Sequence, residues 1–394
     1  MAMRILLRAH KRPFRVASAE QTLKKNLIGN NVGNLVFSQA AYRLLSVRRS
    51  RIDARRLTRL TPARVNARYD LVVLPLADAF RQSFVEELRS MTHLINQLTI
   101  PVVVLGVGCQ GPLGGRAAVS DIDADVKAFV SSVLNHSATV GVRGEATAAY
   151  LKRLGFGSDV IEVIGCPSMF MYGPRLVVTR RVGELSADSP ISMNISPYVP
   201  QMGPLSVDQA ARYPNLVYTA QDHLTLGMML TGVYGATRPQ PKDSPTTADH
   251  PLLRGDRTIF CLDPATWMRH LRRFDFSFGS RIHGNITALL AGVPAVVLAH
   301  DARTLELADY HEIPRMILSG AASFDARELY AAADWTATTS GHQQRWERLA
   351  GFMARNGLRH VYLPGESPQG FDAKLESTRF PEPVRMPSSH RSTG

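Results

Sequence analysis

The chain has 394 residues, of which 45% are hydrophobic and 20% charged, so it can bury a sizeable core and is not a disordered chain. Its length suggests two domains, or three small ones. Forty-six Lys and Arg against 33 Asp and Glu give a net charge of +13 at pH 7, which favours anionic partners: glycans, phosphorylated small molecules, acidic lipid surfaces or nucleic acid.

The first half alternates short apolar runs with amphipathic stretches, the pattern of a parallel sheet flanked by helices. We interpret the opening run, "MRILLRA", as a strand rather than a signal peptide, because charges soon interrupt it. The other predicted strands are residues 69–75, 101–108, 138–144 and 160–165. The predicted helices are residues 34–47, 81–98, 122–134 and 146–154.

An arginine-rich stretch, residues 46–68, lies between the first two predicted strands. It carries eight arginines and a single acid, Asp53. No aromatic side chains are interleaved for base stacking, so nucleic acid is not expected as a partner. We interpret the stretch as a solvated basic face or as a contact for anionic lipid or glycan.

The pattern restarts after residue 190, with predicted strands at residues 191–196, 215–220, 257–262, 274–279 and 294–299. We predict an α/β protein of two doubly wound, Rossmann-like domains, residues 1–175 and 185–360, facing across a cleft. A further helix, residues 343–356, either closes the second half or crosses back to the first. The Pro- and Ser-rich end, residues 375–394, is predicted to be disordered. Parallel sheets bind ligands at the carboxyl ends of their strands, so the ligand is expected in the cleft.

Three cysteines, Cys109, Cys166 and Cys261, are far apart, which favours a reducing compartment without a structural disulfide. No stretch reaches the roughly 18 apolar residues that a bilayer span needs. The sequence predicts a cytoplasmic protein and leaves open a contact with the inner face of the plasma membrane. Cys109 is the one nucleophile candidate, although a buried structural thiol explains it better. The histidines lack metal-binding spacing, so no metal is expected.

Two glycine-rich stretches lie beside predicted strands and helices. "GNNVGN" places Asn31, Gly33 and Asn34 before a helix, and "GVGCQGPLGG" places Gly108 and Gln110 after a strand. Backbone amides at a helix start can hold an anion. Neither stretch matches a dinucleotide-binding or P-loop pattern, and tight turns explain the glycines about equally well.

Arginines also lie at two strand ends. Arg143 precedes a helix, where its guanidinium can grip a phosphate or carboxylate with two bonds, or pair with Glu145 instead. In the second half, Ser280 is a plausible N-cap, and Arg281 and His283 lie on the first helical turn beside the cleft. A histidine there can transfer a proton while the arginine holds an anion, although most such histidines are structural.

At "SRIHGNITALLAGVPAVVL" the chain resembles the polysaccharide pyruvyl transferase family, whose members carry a Ser-Arg-aliphatic-His-Gly turn. Arg281, Ile282, His283 and Gly284 fill this pattern. The resemblance spans roughly residues 25–300 and includes "NNVGNLVFSQAAYRLL", "VLGVGCQGP", "VGVRGEATAAYLKRLGF" and "VIGCPSMF". Many members have an aspartate where this chain has Asn34.

The resemblance implies a GT-B-like fold and the transfer of pyruvate from phosphoenolpyruvate onto a sugar of a polysaccharide or glycolipid precursor. A cyclic ketal would form and phosphate would leave. It also implies that Arg143 and Arg281 bind the phosphate and carboxylate, and that His283 is the acid or base. Phosphoenolpyruvate would be a co-substrate, with no further cofactor. The other residues expected to contact substrate are Asn31, Gly33, Asn34, Gly108, Gln110, Ser280 and Gly284.

Two other classes of function stay open. A GT-B glycosyltransferase that uses a nucleotide sugar would share the cleft and the basic strand ends, and Glu306 is a possible acid for its ribose. A non-catalytic relative that binds glycan or lipid would use the positive charge equally well.

Overall fold

The structure is a computed structural model that describes residues 2–58, 60–111, 120–320 and 323–386. Its first sheet consists of β1 (Met3–Arg8), β2 (Ser50–Arg55), β3 (Leu71–Pro75) and β4 (Val102–Leu105). All four strands are parallel, and they lie side by side in the order β2-β1-β3-β4. A parallel pair, β5 (Val140–Val142) and β6 (Ile161–Val163), continues beside β4, because Val107 and Val142 form a parallel bridge.

Six helices accompany these strands in the described residues: α1 (Ala19–Lys24), α2 (Gly33–Leu45), α3 (Pro62–Arg68), α4 (Val85–Ile95), α5 (Asp123–Leu134) and α6 (Glu145–Arg153). Two of them begin at capping side chains. Ser18 accepts a hydrogen bond from the amide of Gln21 at α1, and Thr61 accepts one from Arg64 at α3. Such caps satisfy amides that the first helical turn leaves free.

The second sheet has the strand order of a Rossmann fold with one added edge strand. Its strands are β7 (Ile191–Asn194), β8 (Leu216–Ala220), β9 (Thr258–Phe260), β10 (Phe276–Gly279), β11 (Ala295–Ala299), β12 (Arg315–Ile317) and β13 (Val384–Arg385). They lie in the order β12-β11-β10-β7-β8-β9-β13, and all pairs are parallel except β13 with β9. Two doubly wound parallel sheets confirm the predicted fold class.

Nine helices follow β7 in the described chain: α7 (Met202–Arg212), α8 (His223–Thr231), α9 (Pro264–Leu271), α10 (Ile282–Leu290), α11 (Ala302–Tyr310), α12 (Ala326–Ala332), α13 (Thr336–Ser340), α14 (His342–Arg355) and α15 (Gln369–Ser377). None of the helices in the described residues is long and apolar enough to cross a bilayer.

Alternate residues of β1 enter two different cores, one on each face of the first sheet. Leu6 packs with the apolar sides of α3 to α6, whereas Ile5 and Leu7 pack with α2 and α14. Such two-sided burial is why strands of parallel sheets are almost wholly apolar. The helix at residues 342–355 therefore crosses back to the first sheet, which settles the alternative left by the sequence. The boundaries at residues 175 and 185 stay a prediction.

Two segments contain elements that the sequence did not predict. The arginine-rich stretch contains β2, an edge strand in register with β1, and α3, so it is a structured part of the first sheet. We also expected disorder from residue 375. The described part of that segment, residues 375–386, instead contains the end of α15 and β13, because β9 offers a free edge that β13 pairs with.

Candidate functional site

A cleft of about 800 Å³ lies between the carboxyl ends of the two sheets. In each sheet it adjoins the switch point of the strand order, between β1 and β3 and between β7 and β10. Open parallel sheets leave a ligand crevice there. The charged lining residues are Arg8, Arg81, Arg143, Arg281, Arg303, Asp78, Glu87 and Asp222. Arginines exceed acids, so the cleft suits an anionic ligand.

Arg281 follows a turn that only glycine allows. Gly279 has a φ of 148°, and an added Cβ would lie 1.9 Å from the carbonyl oxygen of Asn194. The Asn194 side chain accepts a hydrogen bond from the Arg281 amide at 2.8 Å. This bond between β7 and β10 fixes the start of α10 at the cleft.

The Arg281 side chain is held by contacts within the second half. Its guanidinium carbon lies 5.4 Å from the centre of the Tyr198 ring, and its Nη2 lies 3.8 Å from Asp222 Oδ2. Its Nε donates to the carbonyl of Ile195 at 3.3 Å. The guanidinium is thus positioned before any ligand arrives.

The prediction that Ser280 caps α10 is wrong. The N-cap residue is Arg281, whose side chain makes no capping bond, and Ser280 Oγ instead accepts a hydrogen bond from the amide of Ser196 at 2.8 Å. The glycine turn directs Ser280 toward the loop after β7. Its hydroxyl therefore joins two strand ends and does not line the cleft.

His283 lines the cleft from the first turn of α10. Its Nε2 lies 3.6 Å from Cys166 Sγ, and no described group forms a hydrogen bond with its Nδ1. Burial lowers the pKa of His283 well below 6.5, and the charges of Arg143 and Arg303 lower it further against the opposing effect of Asp78. The imidazole is therefore neutral near pH 7 and can accept a proton.

Arg143 forms part of the cleft wall with an almost wholly buried side chain. Its Nε donates to the carbonyl of Gly106 at 2.8 Å and its Nη2 to that of Leu76 at 3.0 Å. It does not pair with Glu145, and no described group bonds its Nη1. The carbonyls fix the guanidinium but do not neutralise it, so its charge remains available to an anion.

Asp78 and Arg303, which were not predicted from the sequence, join the two halves across the cleft. Arg303 Nη1 lies 2.7 Å from Asp78 Oδ2, and its Nη2 lies 3.0 Å from Asp301 Oδ2. Arg81 also contacts Asp78, at 2.6 Å. Burial alone would raise the pKa of Asp78, but Arg303 and Arg81 hold it well below its usual range. Both missed residues follow strand ends, which was the signal that could have found them.

The first glycine-rich stretch lines the cleft, and one polar atom of each of two asparagine side chains is bonded within the loop. Asn31 Oδ1 accepts a hydrogen bond from the Gly33 amide at 2.7 Å, and Asn34 Nδ2 donates to the carbonyl of Gly29 at 2.7 Å. A Cβ on Gly33 would lie 2.7 Å from the Cβ of His283. The glycine thus permits α2 to approach His283 closely, and the asparagines hold the loop.

The remaining predicted glycines have packing roles in the structure. A Cβ on Gly108 would lie 3.2 Å from Arg143 Cδ, and one on Gly284 would lie 2.5 Å from Gln221 Nε2. Gln110 lines the cleft. The later glycines of the second stretch, Gly114 and Gly115, lie outside the described residues.

Two other candidates lie away from the cleft lining. Burial raises the pKa of the Cys109 thiol to about 11, so it is a poor nucleophile. Glu306 accepts hydrogen bonds from the Thr147 amide at 3.1 Å and from its hydroxyl at 2.9 Å, and burial raises its pKa to about 7. Because Thr147 occupies both oxygens, Glu306 is not placed to hold a ribose.

The sequence matches the family model described as polysaccharide pyruvyl transferase over residues 31–302, which is more than half of the chain. This match includes Arg143, Arg281 and His283 and confirms the resemblance seen in the sequence. No curated protein matches the chain.

Several solved structures are similar at low identity. A putative UDP-N-acetylglucosamine 2-epimerase from Listeria monocytogenes is 11% identical, with 97% of this chain and 99% of that chain covered and a TM-score of 0.44. The Anabaena protein HepE, solved with UDP and glucose, is 11% identical, with 95% and 99% covered and a TM-score of 0.43. An uncharacterised Klebsiella pneumoniae protein is 11% identical, with 80% and 94% covered and a TM-score of 0.44. With TM-scores below 0.5, none of them indicates a substrate for this chain.

Proposed function

Because the chain belongs to the polysaccharide pyruvyl transferase family, we propose that it transfers the pyruvyl group of phosphoenolpyruvate to two hydroxyls of a saccharide. A cyclic ketal would form and phosphate would be released. The observation that supports this proposal is that Arg143, Arg281, Arg303 and His283 line one cleft. Phosphoenolpyruvate needs such a site, because its phosphate and carboxylate both lie next to the reacting carbons.

We assign the anion contacts to Arg143 and Arg281, one from each half of the molecule. Guanidinium groups bind phosphate and carboxylate with paired hydrogen bonds. Carbonyl groups fix Arg143, and the Tyr198 ring supports Arg281, so little side-chain freedom would be lost on binding. These clamps would orient phosphoenolpyruvate before the acceptor reacts.

The proposed reaction balances without an oxidant or reductant. The methylene carbon of phosphoenolpyruvate takes up a proton from water and becomes a methyl group, while positive charge develops on the adjacent carbon. One sugar hydroxyl adds to that carbon and loses its proton. The carbon–oxygen bond to phosphate then breaks, and a second hydroxyl adds and loses its proton. One released proton replaces the proton taken up, and the other leaves with phosphate.

We assign the proton transfer to His283. Its neutral imidazole can take the proton of an attacking hydroxyl through Nδ1, which has no partner among the described residues. Bound phosphoenolpyruvate would counter the charges of Arg143 and Arg303 that lower the pKa of His283. The protonated ring could then return a proton to the leaving phosphate.

The acceptor and the location of the reaction are part of the proposal. We propose a saccharide acceptor, free or lipid-linked, of a cell-envelope polysaccharide or glycolipid, and a reaction in the cytoplasm. The excess of arginines in the cleft supports an anionic co-substrate, but it does not distinguish among sugars.

The test is phosphate release from phosphoenolpyruvate in the presence of candidate oligosaccharides. We expect acceptor-dependent release by the wild type and a loss of about 100-fold or more in His283→Ala, as for removal of a general acid or base. His136→Ala, at a histidine outside the cleft lining, is the control and should retain activity. Activity without acceptor dependence, or a fully active His283→Ala, would contradict the proposal.

Ligand-induced thermal shift separates this function from the nucleotide-sugar alternative. Stabilisation by phosphoenolpyruvate, with none by UDP or GDP, supports pyruvyl transfer. The reverse result would favour a glycosyltransferase.

A further inference from the structure

A second concave surface lies beside the cleft, at the carboxyl ends of β1 and β2. Its cavity volume is about 480 Å³. We call it the basic groove, and its cationic residues are Lys11, Arg12, Arg15, Lys25, Arg55 and Arg56. None of the described acidic side chains lines it. The site assigned to phosphoenolpyruvate uses none of these residues.

Only part of this charge is neutralised within the described chain. Asp53 pairs with Arg12 at 2.8 Å and lies 3.6 Å from Arg55. Its Oδ2 also accepts a hydrogen bond from the Tyr69 hydroxyl at 2.6 Å. One carboxylate thus serves two guanidinium groups and a hydroxyl, so the pair of arginines keeps a net positive charge.

Three further cations of the basic groove form no ion pair within the described residues: Arg15, Lys25 and Arg56. Glu87 attracts Arg56 electrostatically but forms its ion pair with Arg8. Arg56 donates instead to the carbonyl groups of Lys25, at 2.9 Å, and Asn26. Carbonyls hold a guanidinium in place without cancelling its charge. The basic groove therefore presents positive charge from the ends of two strands and one helix, which attracts an anion.

The titration behaviour of two residues agrees with this crowding of cations. Lys11 is nearly buried and donates to the carbonyl of Leu262 at 2.6 Å, and burial lowers its pKa to about 8, with Asp263 opposing this shift and Arg15 adding to it. Burial also lowers the pKa of Arg56, where Glu87 opposes the shift and Arg8 and Arg15 add to it. An anion in the basic groove would relieve this repulsion.

The basic groove adjoins the cleft and shares the lining residue His10 with it. His10, Arg56 and Thr58 also line a smaller cavity of about 260 Å³, and that cavity shares Arg8 and Asn26 with the cleft. His10 lines all three cavities. A ligand in the cleft can therefore extend along this surface. Because the surface is concave and adjoins the cleft, it fits an extended ligand better than a flat lipid surface.

We propose that the basic groove binds a phosphate group carried by the saccharide acceptor, outside the cleft that holds phosphoenolpyruvate. The proposal rests on the proposed function, since it gives the acceptor a chemical class: a phosphorylated glycan. Phosphate is the suitable anion because its oxygens can contact several cations at once. The acceptor would then be held at both ends, by its sugar in the cleft and by its phosphate in the basic groove.

The first experiment measures anion binding without catalysis. Inorganic diphosphate is titrated into the wild type and into the double variant Arg15→Ser, Lys25→Ser by calorimetry at low salt. We expect Kd to rise about 10-fold in the double variant, equivalent to about 1.4 kcal/mol, and to rise with ionic strength in the wild type.

Two further variants decide whether this binding belongs to the basic groove. Arg49→Ser, Arg51→Ser removes the same charge at the amino end of β2, away from the basic groove, and should bind diphosphate as the wild type does. Arg281→Gln removes a cation of the cleft and should retain binding in the basic groove. Three results would each overturn the proposal. Diphosphate binding could weaken equally in the Arg49, Arg51 control, stay unchanged in the Arg15, Lys25 variant, or be lost completely in Arg281→Gln.

The second experiment separates the two sources of phosphate. Phosphate release is measured with one oligosaccharide in its free and its 1-phosphorylated form, and we expect the ratio of kcat/KM values to fall about 10-fold in the Arg15, Lys25 variant. Binding to vesicles of phosphatidylglycerol is measured in parallel. A variant that loses vesicle binding while its preference for the phosphorylated sugar is unchanged would overturn the proposal in favour of a lipid surface. A protein that binds diphosphate in the basic groove but never releases phosphate from phosphoenolpyruvate would contradict the proposed function instead.

Discussion

The chemistry of His283 depends on which ring nitrogen faces the cleft. A base needs a lone pair on Nδ1, so the hydrogen of the neutral ring must lie on Nε2. Cys166 favours this arrangement, because its S–H donates to Ser168 Oγ at 3.3 Å, which leaves the sulfur lone pairs for His283 Nε2 at 3.6 Å. We therefore regard Cys166 as a positioning residue for His283.

Substitution of Cys166 tests this role. Cys166→Ala removes the acceptor and should lower kcat about 10-fold, whereas Cys166→Ser supplies a better acceptor and should retain most of kcat. Because the pKa of His283 is lowered, the acid limb of wild-type kcat/KM, which reports the free enzyme, should lie below pH 6.5. Steady-state kinetics from pH 5 to 8 measures both effects. Equal losses in the two variants would mean that the thiol only fills space.

For single residues, sequence patterns predict which side chains lie at strand ends but not which partners they contact. Arg281 and His283 follow the strand that ends at Gly279, and their motif is contiguous. Cys166 is 117 positions from His283, and Asp78 is 225 positions from Arg303. Contacts of that span depend on how the two sheets pack, which local periodicity does not encode.

Among the strands, the buried ones were predicted well, whereas the edge strands β2, β12 and β13 were not predicted. β3, β4 and β11 are fully buried and therefore almost continuously apolar, which made them visible in the sequence. β2 buries mainly one face, so its apolar signal is reduced to Ile52 and Ala54 among arginines. The arginine-rich composition concealed this strand. Its pairing with β1 places the carboxyl ends of the two strands together, where they form the basic groove beside the cleft.

The contact between α6 and α11 should make stability depend on pH. Glu306 of α11 has a folded pKa of about 7, above its ordinary 4.5, so its contribution to stability is present at low pH and is lost as pH rises toward 7. Glu306→Gln keeps an acceptor for Thr147 without the charge. We expect the variant to gain up to about 3 kcal/mol in free energy of unfolding relative to the wild type between pH 4.5 and 8.

Urea unfolding at several pH values measures the Glu306 effect. Glu376→Gln, at an exposed carboxylate on α15, is the control, and its stability curve should parallel that of the wild type. If the difference between Glu306→Gln and the wild type stays constant with pH, the carboxyl does not titrate in this range.

At the scale of the whole molecule, α2 and α14 connect the halves among the described residues. The amino-terminal part of α2, including Val36, packs in the core of the second sheet, whereas Ala41 and Leu44 of the same helix pack against the first. α14 returns from the second half to cover the same face of the first sheet. The sequence predicted this helix at residues 343–356, but an apolar helix face does not tell which sheet it covers.

Because α14 completes the core of the first sheet, a substitution in this helix should destabilise β1 and β3, which are far from it in sequence. Leu349 is wholly buried among residues of β1, β3 and β4, so Leu349→Ala should cost about 2–5 kcal/mol. Gln344→Ala, at an exposed position of the same helix, should change stability by less than about 0.5 kcal/mol. Hydrogen exchange should then show faster amide exchange in β1 and β3 of Leu349→Ala than in the control. Faster exchange confined to α14 would show that the first sheet is stable without this helix.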